Sequence, residues 1–190
     1  MTLPSPLVLA TGNPAKVAEW RELLAPLGIA VLTPELPEVE ENGGSCAANA
    51  LLKARSAVMA LHLPALADDV GLEVDALGGR PGADLKPWAT SVGGWTEARS
   101  VMAAEAGGSG ATYRCALALV FVSPQRDSLV TEGALRGVIG PAAGEGRGLE
   151  PCFYPEGLPR SLAQLTTDER ARIHHRSRAW RALLEATAPG

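Results

Sequence analysis

With 190 residues the chain is long enough for one sizeable core, and 46% hydrophobic with 20% charged residues is ordinary for a globular protein. A formal net charge of −4 with no basic tail argues against nucleic-acid binding. No apolar run reaches the roughly 18 residues that a membrane span needs, and no charged leader precedes the first apolar run. The expectation is a single domain over residues 1–190, in the cytoplasm and with no membrane partner.

Leu7-Val8-Leu9-Ala10 is a short, wholly apolar run, the pattern of a strand buried on both faces. It runs into Thr11-Gly12-Asn13-Pro14-Ala15-Lys16 and then a stretch of helical periodicity to Leu24. Asn13 suits the helix N-cap and Pro14 the first helical position. Strand, tight loop and helix start, with Lys16 in the first turn, make an anion site suited to phosphate. The same residues also read as a capped helix with an exposed lysine. Gly28 closes the helix, and residues 29–32 read as a second strand.

The acidic segment from Pro34 to Gly44 ends in Glu40 and Glu41, just before a strong helical stretch over residues 49–61 with Ser45 as its cap. Asn49 and Lys53 are four apart on one face of that helix. Next comes Leu66-Ala67-Asp68-Asp69-Val70-Gly71-Leu72, read as a strand end that turns sharply at the glycine. Adjacent carboxylates held there suit a hard divalent cation or the deprotonation of water; a solvated turn is the plain alternative.

Residues 83–111 are weakly patterned, with a helix expected over 95–106 and a loop at 107–110. Residues 112–122 form the longest strand candidate, joined through Pro124-Gln125-Arg126-Asp127 to an antiparallel partner over 128–139. The tail from Asp168 to Ala186 reads as one helix, with Ile173, Trp180, Leu183 and Leu184 on one face. Cys46, Cys115 and Cys152 show neither disulfide nor zinc spacing. Lys16, Lys53 and Lys86 stand out among 17 basic residues that are otherwise arginine.

In order and spacing, these motifs resemble the inosine/xanthosine triphosphate pyrophosphatase family. The resemblance rests on Thr11-Gly12-Asn13-Pro14-Ala15-Lys16, Asn49-Ala50-Leu51-Leu52-Lys53-Ala54 and Ala67-Asp68-Asp69-Val70-Gly71-Leu72. It extends through Leu77-Gly78-Gly79-Arg80-Pro81-Gly82, the segment from Gly146 to Gly157, and His175-Arg176. It implies an α/β fold with a long bent mixed β-sheet flanked by helices, in two lobes with the active-site cleft between them, as a homodimer. It also implies hydrolysis of the deaminated purine nucleotides ITP, dITP and XTP to monophosphate and pyrophosphate with Mg²⁺.

On that resemblance Asp69, or Asp68 beside it, is the catalytic base, and Mg²⁺ is held by Asp69 with Glu40 or Glu41. Thr11, Gly12, Asn13, Lys16, Asn49, Lys53 and Val70 fall at substrate-binding positions on the phosphate side. Arg147, Gly148, Leu149, Glu150 and Arg170 fall in the base pocket, where His175 and Arg176 donate to a purine 6-oxo group. Adenine presents a donor there, which disfavours ATP.

Departures gather on the base side. Val70 replaces a serine, Ala48 a glutamate, and Leu85-Lys86-Pro87 stands where the family has Ser-Ala-Arg. Arg147-Gly148-Leu149-Glu150 replaces Phe-Gly-Tyr-Asp, so an arginine, whose guanidinium can stack on a purine, stands where an aromatic would. Gln164, Arg170 and His174 differ as well. Two readings follow: an active pyrophosphatase, or a paralogue that binds nucleotide or a protein partner with little turnover.

Overall fold

The computed structural model describes residues 3–123, 125–126 and 128–188. Its frame is a seven-stranded mixed sheet in an α/β chain. The strands are β1 (Leu7–Leu9), β2 (Val31–Leu32), β3 (Ala65–Val74), β4 (Pro81–Gly82), β5 (Gly110–Val120), β6 (Leu129–Ile139) and β7 (Phe153–Pro155). Their order is β2-β1-β3-β5-β6-β7, with β4 paired to β3 off that path. β1 runs parallel to β2 and β3, whereas β4 on β3 and β7 on β6 are antiparallel. The connection expected at 124–127 falls partly on Pro124 and Asp127, outside the described residues.

The helices are α1 (Pro14–Leu24), α2 (Cys46–Leu61), α3 (Leu85–Ser91), α4 (Trp95–Ala106), α5 (Thr167–Ile173) and α6 (His175–Thr187). α1 starts as its sequence dictates: the Asn13 side chain accepts the N–H groups of Ala15 and Lys16, with Pro14 in the first turn. Ser45 caps α2 by accepting the Ala48 N–H. α2 buries Cys46, Asn49, Ala50, Ala54 and Ala57, a narrow stripe of small side chains at helical spacing.

Three expectations are corrected. First, β3 does not turn at Gly71; it continues to Val74, with Asp68 and Asp69 inside it at 1% and 6% exposure. The acid pair is therefore buried strand and not a solvated turn. Second, the C-terminal helix is broken. α5 ends at Ile173, and His174 takes an extended ψ of 139°, so its ring Nδ1 can accept the N–H of Arg176 in the first turn of α6. Trp180 and Leu183 are buried on α6, but Ile173 belongs to α5. Third, β5 already begins at Gly110, inside the expected loop.

Two compact units share the chain. One comprises residues up to Asp69, Ala116–Glu132 and residues from Ala179 on; the other comprises Val70–Cys115 and Gly133–Arg178. In the first unit, β1 is buried throughout, and the Trp20 and Trp180 rings meet edge to face with centroids 5.5 Å apart. The second has its own apolar core, including Leu72, Val74, Met102, Tyr113, Leu135, Ile139, Leu149 and Phe153. All three cysteines are free and buried.

Candidate active site

In the first unit the site grows from β3. Leu66 is the last residue of β3 paired to β1, so Asp68 and Asp69 lie just past the carboxyl end of β1. In open α/β sheets that end is where ligands are received. Adjacent strand residues point to opposite faces, and each acid accordingly meets a different helix. Asp68 takes α1: Lys16 Nζ lies 3.0 Å from Oδ2, and Trp20 Nε1 donates to Oδ1 at 3.4 Å. Asp69 takes α2: Lys53 Nζ lies 2.7 Å from Oδ1, and Asn49 Nδ2 donates to Oδ2 at 3.4 Å.

Lys53 is shared, its ammonium also lying 3.1 Å from Glu41 Oε2. Of the two glutamates left open by the sequence, Glu41 is the one whose carboxylate reaches this cluster; Glu40 is exposed. Asn49 is anchored in turn, because its Oδ1 accepts the Gly43 N–H at 2.9 Å.

Burial decides the protonation of Asp69, and its neighbours that of Glu41. Burial pushes the Asp69 carboxyl up to about 6 in spite of Lys53, and the neighbouring Glu41 pushes it the same way. Burial also works against ionisation of Glu41, but Lys53, the Asp69 hydrogen bond and the field of Lys16 outweigh it and hold Glu41 below its usual range. Lys53 stays charged, the two acids outweighing its own desolvation. Cys46 nearby is no nucleophile: burial and the Asp69 charge push its thiol up to about 12.

Among the remaining phosphate-side residues, Thr11 Oγ1 accepts the Asn13 N–H at 3.2 Å. A side chain at Gly12 would meet nothing within 4 Å, so the loop is open there. The Asn13 carbonyl is spent on capping α1. Val70, half-buried, packs on the core of the second unit.

In the second unit a different cluster surrounds Glu150. Arg170 grips its carboxylate with both nitrogens, at 3.0 and 2.9 Å, and the Arg147 N–H donates to Oε2 at 3.3 Å. His174 Nε2 lies 3.6 Å from Oε1, and since Nδ1 accepts the Arg176 N–H, the neutral ring carries its proton on Nε2. Burial opposes the Glu150 charge, yet His174 and Arg170 hold its carboxyl down to about 2. Burial correspondingly lowers His174.

His175 is stacked on Tyr113 with centroids 4.8 Å apart and on His174 at 4.0 Å. Arg176 is buried beside it in the sequence. Leu149 is fully buried in the apolar core, whereas Arg147 is exposed. Reasoning from sequence missed Arg99 on α4, which donates through Nε to Gly148 O and through Nη2 to Gly146 O, both at 2.8 Å. It lies on the helix expected over 95–106, but nothing in that helix signals the pairing with a distant loop.

A profile of the Ham1 family matches residues 7–186. The chain belongs to the Ham1 family. Among its Ham1 relatives, the dITP/XTP pyrophosphatase of Streptomyces coelicolor is 39% identical over 191 residues, covering 94% of each chain. That of Thermus thermophilus is 41% identical over 195 residues, covering 97% of this chain and 92% of its own. Among solved structures, a HAM1 protein from Coxiella burnetii superimposes with a TM-score of 0.85 at 32% identity, covering 96% of this chain and 98% of its own. A nucleoside-triphosphatase, dITP/XTP pyrophosphatase, from Mycobacterium abscessus gives 0.76 at 34%, covering 96% and 100%.

Proposed function

We propose that this Ham1 protein hydrolyses deaminated purine nucleoside triphosphates, ITP, dITP and XTP, to the monophosphate and pyrophosphate. The chain is a hydrolase of that family, and its relatives carry the name dITP/XTP pyrophosphatase. The observation that carries the reading is the Asp69–Lys53–Glu41 cluster with Lys16 on Asp68: two lysines and three acids converging beside the loop that follows β1.

Each group has work suited to its chemistry. Water attacks the α-phosphorus, the bond to the bridging oxygen of the β-phosphate breaks, and pyrophosphate leaves. Asp69, poised near 6 and ionised above it, takes the proton of the attacking water. Asn49 fixes the carboxylate that does so. Lys16 and Lys53 offer positive charge to the phosphates and to the oxygens that gain charge as the bond breaks. On the base side, His175 and Arg176 would donate to the 6-oxo group, with Arg147 stacking on the ring through its guanidinium face.

The residues also fit a hard divalent cation such as Mg²⁺. The Lys53 ammonium already stands as a cation between Asp69 Oδ1 and Glu41 Oε2, so two hard oxygens converge on one positive charge. Among the described residues there is no group of three or more metal-ligating side chains. That suits an ion completed by water and substrate phosphates. Bound by Asp69 and Glu41, it would offset charge on the triphosphate. A homodimer in the cytoplasm is part of the same proposal. Among the described residues no helix is long and apolar enough to cross a membrane.

The test is pyrophosphate release from ITP, XTP, dITP, GTP and ATP in Mg²⁺. ITP and XTP are expected to outpace ATP by at least about a hundredfold, and Asp69→Asn to abolish release. Nucleotide binding without turnover would favour the non-catalytic paralogue; orthophosphate as first product would reject both readings.

A further inference from the structure

We infer that Arg99 is a positioning residue for base recognition, acting through Arg147. The inference rests on the proposed stacking role of Arg147 and adds the residue that makes such a role possible on an exposed loop. An arginine stacking on a base must have a fixed backbone, since a long side chain on a mobile loop would lose its ordering entropy on every binding event.

The structure fixes that backbone on three sides. Arg99 holds the carbonyls on either side of Arg147, Gly146 O and Gly148 O, in one guanidinium fork at 2.8 Å each. Glu150 takes the Arg147 N–H and is itself locked by Arg170. Arg99 is steadied behind, its own carbonyl accepting the buried Cys152 thiol at 3.5 Å.

The loop conformation also needs its glycine. Gly148 has a φ of 52°, a left-handed backbone that residues other than glycine rarely adopt, and it lies against the Trp95 ring. Trp95 opens α4, the helix that carries Arg99, so one helix shapes and clamps the loop. A lysine at position 99 could satisfy both carbonyls only with a mobile point charge, so the planar fork is what the geometry uses.

Steady-state kinetics with ITP on the full chain, using Arg99→Gln, Arg99→Lys, Arg147→Ala and the Arg99→Gln/Arg147→Ala double variant, tests this. Arg99→Gln is expected to raise KM about tenfold with kcat changed less than about twofold, and Arg99→Lys to restore part of the loss. The double variant should be no worse than Arg147→Ala alone, because one residue works through the other. The inhibition constant of inorganic tripolyphosphate, which has no base, should not move. Multiplying effects in the double variant, an unchanged KM in Arg99→Gln, or a tripolyphosphate constant that shifts as far as KM would overturn the inference. If the wild type turns over no triphosphate, the proposed function falls, and calorimetry with inosine monophosphate on the same proteins judges Arg99 alone. Tenfold weaker binding in Arg99→Gln and no further loss in the double variant would uphold it; equal binding would sink it.

Discussion

Glu150 shows how a buried charge can be either a liability or a lock. Its side chain is only 10% exposed, so removing water from it is costly, and it is ionised because His174 lies beside it and Arg170 grips both oxygens. Its folded value of about 2 lies below the ordinary 4.5. The stabilisation is therefore complete above about pH 4.5 and is lost as pH falls toward 2. Urea unfolding should find Glu150→Gln weaker than wild type by on the order of 3 kcal/mol at pH 7, the gap falling below about half of that by pH 3. His174, lowered by burial, contributes in the same direction: its share is complete above its ordinary 6.5 and declines as pH falls through the acid range below. At this scale the sequence placed Asn49 and Lys53 on one helix face by spacing alone, without showing that both meet Asp69. It could not reveal that the oxygens of Glu150 turn inward to Arg170, since nothing local distinguishes an acid that meets a ligand from one that meets a distant arginine.

Elements were legible where local chemistry fixes them. α1 and α2 carry their caps in the sequence, and α4 falls where expected. α3 went unread because Lys86-Pro87 breaks the pattern, although a proline in the first turn is tolerated and Leu85 and Ala89 bury one face. β7 is only three residues long, too short for periodicity to show. The break between α5 and α6 was hidden because both halves have helical composition; the decisive bond is His174 Nδ1 on the Arg176 N–H. A prediction belongs to α1. Asn13→Ala removes the cap and should cost about 1 kcal/mol in urea unfolding. Asn13→Asp keeps a capping oxygen but sets a negative charge by the phosphate loop, so stability should hold while KM for ITP rises about fivefold or more. A KM unchanged by aspartate would show that the triphosphate lies elsewhere.

For the molecule as a whole, the mixed sheet and the hydrolase family were recoverable because several short motifs kept their order across the chain. The borders of the two units were not, since each unit is assembled from separate segments and no composition shift marks where they meet in the sequence. The crossings at residues 69–70, 115–116, 132–133 and 178–179 fall within β3, β5, β6 and α6. Domains that are joined by loops can be cut apart and studied singly. Here every border is a hydrogen-bonded strand or helix, where proteases find little slack to grip. Limited digestion should consequently nick surface loops without liberating either half as a stable fragment, and mass spectrometry of the products checks this. Evolution, or an engineer, cannot exchange one half for that of a cousin by splicing a single joint: four seams would have to be matched at once.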